Sequence, residues 1–170
     1  MIILLTGGSK SGKSSVAEHL CVTLGANGPL YYVATMKVSD AEDRTVVYRH
    51  QKMREGKGFL VFECENDFSN LPLPSDVTVL LEDLPNALAN AMFGSGSPDK
   101  ILPSVEALGH KVRHLILITN EISSDGIRYK EQTETYIRAL GHLNCACARI
   151  ADTVAEVVSG IPIILKGRLP

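Results

Sequence analysis

The chain has 170 residues, of which 45% are apolar and 21% charged, and a formal net charge of −2. That length carries one domain, residues 1–170, with a real core, and the near-neutral charge excludes a nucleic-acid or membrane-surface protein held by basic patches. No stretch reaches membrane-span length, and the N-terminus lacks the basic start and long apolar core of a signal peptide, so a cytoplasmic protein is expected.

Met1 to Thr6 is a short apolar run, predicted as a buried strand. Gly7-Gly8-Ser9-Lys10-Ser11-Gly12-Lys13-Ser14 follows and matches the phosphate-binding pattern G-x-x-x-x-G-K-[ST] in full. Ser14 to Leu24 then reads as a helix, with Val16, Leu20 and Leu24 on one stripe. Glycines let the backbone curl so that successive N–H groups point inward as a nest for phosphate oxygens, and the helix adds its positive end. Lys13 is placed to reach the terminal phosphates and Ser14 to offer its hydroxyl to Mg²⁺. A Gly/Ser-rich turn without a ligand is the bland alternative. The complete pattern between a strand and a helix favours the nucleotide site.

A turn at Asn27-Gly28-Pro29 leads into a second apolar run, Leu30 to Thr35. Ser39 to Met53 is polar and predicted helical, capped by Ser39 or Asp40, and Glu55 to Gly58 breaks it. Phe59 to Glu63 is a third strand, and Leu71-Pro72-Leu73-Pro74 a loop. Val77 to Asp83 is a continuous apolar strand ending in two acids. Leu84 to Phe93 is a helix with Pro85 in its first turn. After the loop Gly94 to Pro98, Asp99 to Gly109 reads as a weaker helix interrupted near Pro103. His114 to Glu121 is a buried strand with a polar end, and Ser123 to Gly126 a loop. Glu131 to Ala151 is a long amphipathic helix. Thr153 to Ser159 and Ile161 to Leu165 close the chain as an antiparallel pair joined at Gly160.

Apolar strands separated by helices imply an α/β fold: a P-loop, mostly parallel sheet covered on both faces, with a C-terminal antiparallel hairpin. Ligands bind such sheets at the C-terminal strand ends. The polar residues there are Thr35, Glu63, Glu82, Asp83 and Thr119-Asn120-Glu121. Adjacent strand residues face opposite sides, so one acid of the Glu82-Asp83 pair points at the metal. Glu82 is the choice, with Asp83 free to cap the following helix. Thr119-Asn120-Glu121 reads equally as a solvated strand end.

Cys21, Cys64, Cys145 and Cys147 show no zinc spacing and read as buried or half-buried free thiols. His19, His110, His114 and His142 lack a second ligand at metal spacing and read as surface or packing residues. These features alone reach a P-loop kinase or nucleotidase.

The full run of residues resembles the adenosylcobinamide kinase / adenosylcobinamide-phosphate guanylyltransferase family of cobalamin biosynthesis. The resemblance rests on Leu5 to Ser14 with Ala17-Glu18, Tyr32-Val33-Ala34-Thr35, and Arg49-His50 with Arg54 beyond it. It continues through Glu63, Leu80-Leu81-Glu82 and Thr119-Asn120-Glu121 to the finish Val158-Ser159-Gly160-Ile161-Pro162-Ile163-Ile164-Leu165-Lys166. It implies phosphorylation of the aminopropanol hydroxyl of adenosylcobinamide by a nucleoside triphosphate, then transfer of GMP from GTP to that phosphate. The transfer passes through a histidine–GMP adduct, and the family's histidine falls on His50. Without the family, His50 is an ordinary solvated histidine. The resemblance further implies Mg²⁺ held by Ser14 and Glu82, ATP and GTP as substrates, a corrinoid acceptor and a homotrimer. Nucleotide contacts are expected from residues 7–14, Thr35, Met36, Lys37, Arg54, Glu63 and Glu82, with Lys13 and His50 catalytic. A monofunctional small-molecule kinase and a non-catalytic GTP sensor are the alternatives. Departures from the family pattern fall at Ile122 to Tyr129, at Asn144-Cys145 and at Leu84 to Ala87. They bear on the corrinoid site and subunit contacts more than on the nucleotide.

Overall fold

The computed structural model describes residues 1–25, 28–38, 40–122 and 126–170. The turn expected at Asn27, the capping role of Ser39 and the loop at Ser123-Ser124-Asp125 lie outside the described residues. The chain alternates β1 (Ile2–Thr6), α1 (Lys13–Gly25), β2 (Leu30–Ala34), α2 (Ala41–Arg54), β3 (Phe59–Glu63), β4 (Thr78–Glu82), α3 (Leu84–Phe93), α4 (Ile101–Lys111), β5 (His114–Ile118), α5 (Glu131–Ile150), β6 (Thr153–Val158) and β7 (Ile161–Lys166). One seven-stranded sheet runs β3-β2-β4-β5-β1-β6-β7. Every neighbouring pair is parallel except β6 with β7.

Alternation along the strands divides the core between the two faces. Ile3, Leu5, Tyr32, Leu80, Ile116 and Ala155 pack against Ala17, Leu20 and Cys21 of α1. Leu4, Val33, Val79, Leu81, Leu115 and Leu117 pack on the other face with α3, α4 and α5. The buried stripe of α1 therefore centres on Ala17, Leu20 and Cys21, with Val16 and Leu24 at its margin.

Three sequence expectations need correction. Pro103 does not interrupt a helix: a 3-10 turn at Pro98–Lys100 leads into α4, which is unbroken. Pro103 is its third residue, where the backbone N–H has no intrahelical acceptor to lose. Nor are all strands covered on both faces. The edge strands leave Leu60, Val61, Ile161, Ile163, Ile164 and Leu165 exposed, whereas β4 is buried throughout. Among the cysteines, Cys21 and Cys147 are buried and Cys64 half-buried as expected, but Cys145 is exposed, which corrects the buried or half-buried reading for that residue.

The C-terminal end of α5 is held by a single side chain. Lys166 Nζ donates to the carbonyls of Ala148 at 3.1 Å, Arg149 at 2.9 Å and Ala151 at 2.6 Å. An ammonium there satisfies orphan carbonyls and complements the negative helix end. Lys166→Met is expected to lower unfolding free energy by about 1 kcal/mol, read as a reduced urea midpoint at unchanged slope.

Candidate active site

The phosphate loop lies between β1 and α1, at the C-terminal edge of the sheet. Its shape depends on glycine at two points. Gly7 has φ +138°, and a Cβ there would meet the Val157 carbonyl oxygen at 2.5 Å. Gly12 has φ +96°, and a Cβ would lie 3.0 Å from Gly160 Cα. The β6–β7 turn thus presses on the loop, and Gly160 N donates to Ser11 O at 2.7 Å. This gives the Ser159-Gly160 part of the chain's finish a physical role as a brace for the loop. Gly7→Ala is expected to weaken nucleotide binding at least about tenfold, because left-handed strain and a backbone clash both fall on the cradle. A fluorescent-nucleotide titration measures it, and unchanged affinity would contradict the cradle.

Lys13 is buried, and its Nζ donates to Gly7 O at 2.9 Å and Gly8 O at 2.7 Å. Burial pushes its ammonium below the ordinary value, against the opposing charges of Asp83 and Glu82. Ser11 Oγ is buried with no hydrogen-bond partner among the described residues, a polar atom fit for an oxyanion ligand. Ser9 and Lys10 lie exposed on the rim, and Lys10 adopts φ +60°.

The two acids take different roles, although both line the site. Ala34 pairs with Glu82 and Tyr32 with Leu80, which places Glu82 and Tyr32 on the α1 face. The Ser14 hydroxyl donates to Glu82 Oε1, and the Tyr32 hydroxyl donates to Oε2 at 2.9 Å. His50 Nδ1 lies 3.3 Å from that same Oε2. Burial raises the Glu82 carboxyl, but the His50 contact and the Ser14 and Tyr32 hydroxyls outweigh it and leave its pKa below the ordinary value. Asp83 turns the other way and caps α3, accepting from Asn86 N at 2.9 Å. Burial raises its carboxyl to about 6 against the Asn86 hydrogen bonds, and the Glu82 charge adds to the rise.

Helix α2 begins at Asp40, whose side chain accepts from Asp43 N at 2.9 Å, so Asp40 is a cap. The helix is polar, and its inward side delivers His50, Met53 and Arg54. A cavity of about 300 Å³ over the phosphate loop is lined by Lys13, Ser14, Arg49, His50, Met53 and Asn120 together with Glu82 and Asp83. A second, of about 650 Å³, is lined by Thr35, Met36, Lys37, Arg54, Glu63 and Asn86, and again by His50, Glu82 and Asp83. His50 therefore stands on the wall between the two cavities. A third cavity of about 680 Å³ on the outer side of α2 shares only Arg54 with the second and no residue with the phosphate site.

All the residues singled out from the sequence converge here, though not all present free groups. Thr35 is buried, and its hydroxyl donates to Asp83 O and accepts from Asp83 N, both at 2.8 Å. Lys37 Nζ lies 3.5 Å from Glu65 Oε1. Arg54 is buried with its guanidinium 3.4 Å above the Tyr32 ring centroid, and its Nη1 has no hydrogen-bond partner among the described residues. Glu63 is exposed at the rim.

Three residues support the site in roles that the sequence did not assign them. Tyr32 reads as one more apolar strand residue until the β2–β4 register is known. Asn90 Nδ2 donates to Thr35 O at 2.7 Å and Glu65 O at 3.1 Å, tying the ends of β2 and β3 to α3. Asn144 Oδ1 accepts from Thr119 Oγ1 at 2.6 Å, and its Nδ2 donates to Asn120 O at 3.1 Å, holding the segment beside the phosphate loop. Of the Asn144-Cys145 pair, the asparagine is the working member and Cys145 faces outward.

Hard oxygen donors suit Mg²⁺, and the Ser14 hydroxyl in contact with the Glu82 carboxylate supplies two beside the phosphate nest. Among the described residues, no helix is long and apolar enough to cross a membrane.

Comparison with known proteins agrees with this geometry. The chain is 29% identical to the bifunctional adenosylcobalamin biosynthesis protein CobU of Salmonella typhimurium, over 98% of this chain and 100% of that protein. It is 27% identical to the bifunctional adenosylcobalamin biosynthesis protein CobP of Pseudomonas aeruginosa, over 96% of each. Among solved structures, an ATPase domain superposes with a TM-score of 0.53 at 13% identity, covering 98% of this chain and 77% of that one, which shows the fold. The profile of the family described as cobinamide kinase / cobinamide phosphate guanyltransferase matches residues 3–165, and the chain belongs to that family.

Proposed function

We propose that this chain phosphorylates the side-chain hydroxyl of adenosylcobinamide with a nucleoside triphosphate, ATP or GTP, and then transfers GMP from GTP to the new phosphate. The observation that carries this reading is the position of His50, on the wall shared by the phosphate cavity and the larger second cavity. In the first reaction the acceptor hydroxyl oxygen attacks the γ-phosphorus and the nucleoside diphosphate leaves. In the second, His50 Nε2 attacks the α-phosphorus of GTP, forming a P–N bond while the P–O bond to pyrophosphate breaks. A phosphate oxygen of the corrinoid then attacks the same phosphorus, and the imidazole is released.

The chain's own residues supply what these steps need. With Nδ1 against an ionised carboxylate, the neutral imidazole carries its proton on Nδ1 and presents Nε2 as a lone pair. Lys13 and the loop N–H groups hold the charge of the phosphates being transferred or expelled. Arg54 lines the second cavity with Thr35, Met36, Lys37 and Glu63, along the nucleotide's path. Ser14 and Glu82 would hold Mg²⁺, which neutralises phosphate charge. The exposed apolar residues on β3 and β7 support assembly with further copies of the chain, a homotrimer by family resemblance.

The deciding experiment is incubation with GTP labelled at either the α- or the γ-phosphate, followed by denaturation. Retention of the α label, with loss in acid, is expected for a phosphoramidate. Retention of the γ label instead would contradict guanylyl transfer.

A further inference from the structure

We infer that Tyr32 is a positioning residue for His50: its buried hydroxyl fixes the Glu82 oxygen that selects the imidazole tautomer. The inference rests on the reading of His50 as the guanylyl acceptor and adds a residue to it.

Tyr32 is 4% exposed, in the middle of β2. Three contacts determine where its hydroxyl points. The Arg54 guanidinium covers the ring from a distance of 3.4 Å to the centroid. Phe59 meets it nearly edge-on, with centroids 6.5 Å apart and planes at 82°. The hydroxyl donates to Glu82 Oε2 at 2.9 Å. Both the stacking and the edge contact are attractive, so the ring is held without a side chain of its own having to reorganise.

Glu82 sits between three donors. Oε1 takes the Ser14 hydroxyl, and Oε2 faces both the Tyr32 hydroxyl and His50 Nδ1. A carboxylate free to turn about its last torsion would present either oxygen, or neither, to the imidazole. With Tyr32 on Oε2 and Ser14 on Oε1 the carboxylate plane is pinned at both ends. The phenol sits 2.9 Å from a carboxylate oxygen, which has no proton to give, so Tyr32 is the donor of the pair. A carboxylate oxygen accepts only, so the 3.3 Å approach of Nδ1 to Oε2 favours the tautomer with its proton on Nδ1. The nitrogen left for attack is Nε2.

Sequence placement adds a second link. Arg54 follows His50 by four residues on α2, so both project from one face of the helix. Tyr32 is therefore the point where the helix carrying the acceptor meets the strand beside its carboxylate. Lys57, just past the helix end, donates to buried Glu18 of α1 at 2.5 Å and ties the same corner of α2 to the phosphate-loop helix.

The test is Tyr32→Phe, which keeps the ring, its stacking and its packing and removes one hydroxyl. With ¹⁵N-histidine-labelled protein, the wild type is expected to show the Nδ1–H tautomer for His50, assigned by its loss in His50→Asn. Tyr32→Phe is expected to show a mixed population of tautomers. The rate of protein labelling from α-labelled GTP should fall about tenfold, with GTP affinity unchanged within about twofold, a split that a general packing defect does not produce. An unchanged tautomer in Tyr32→Phe overturns the inference, and so does an unchanged labelling rate. Failure of the wild type to take the label counts against His50 as acceptor, and the tautomer comparison then decides the positioning claim by itself.

Discussion

Replacing His50 by alanine or asparagine is expected to cut protein labelling from α-labelled GTP by at least about 10³-fold, because His50 is the one imidazole among the described residues that lines both cavities. The two variants differ in what they leave behind. Alanine removes a donor from Glu82 Oε2 as well as the acceptor nitrogen, whereas the asparagine amide can still donate to that oxygen. GTP affinity should therefore stay within about threefold of wild type in His50→Asn, since the phosphate loop and Lys13 are untouched. Corrinoid phosphorylation should survive in His50→Asn too, because hydroxyl attack on a γ-phosphorus needs no histidine adduct. Labelling that persists in both variants would remove His50 from the mechanism. Loss of phosphorylation along with labelling would show that the histidine shapes the phosphate cavity rather than accepting the nucleotide.

How much of this was legible in the sequence depended on the range of the information. The phosphate loop was legible because its function is local: two glycines, a lysine and a serine within eight residues, between a strand and a helix. The capping role of Asp83 was also legible, since it directly precedes a helix with proline in its first turn, whereas the presence of both acids in both cavities was not. Pro103 misled because a helix breaker is harmless in a first turn, and the helix starts later than the pattern indicates. Tyr32, Asn90, Asn144 and Gly160 were not legible as site residues. Each acts through a partner more than twenty residues away: Glu82, Thr35, Asn120 and Ser11. Such contacts are set by strand order and register, which local periodicity does not encode. The edge strands show the same limit, because an apolar run in β7 looks like a core strand until its place at the end of the sheet is known.

Lys13 provides the sharper test of whether one phosphate site serves two reactions. Lys13→Met keeps the aliphatic stem in its buried position and removes only the cation, so the fold should hold. Both corrinoid phosphorylation and guanylyl transfer are then expected to fall by about 10²–10³-fold, the usual effect of losing one strong charge stabiliser of a transition state, about 3–4 kcal/mol. The reason is shared: in the proposed reactions the same ammonium would face the γ-phosphate as it is transferred and the pyrophosphate as it leaves. His50→Asn and Lys13→Met therefore form a diagnostic pair, one removing a single reaction and the other both. A Lys13→Met protein that loses phosphorylation but still labels at full rate would place the guanylyl donor elsewhere, with its phosphates in the second cavity beside Arg54 and Lys37. A protein that loses both would tie the two reactions to one loop, with His50 between the cavities as the group that carries the nucleotide from donor to acceptor.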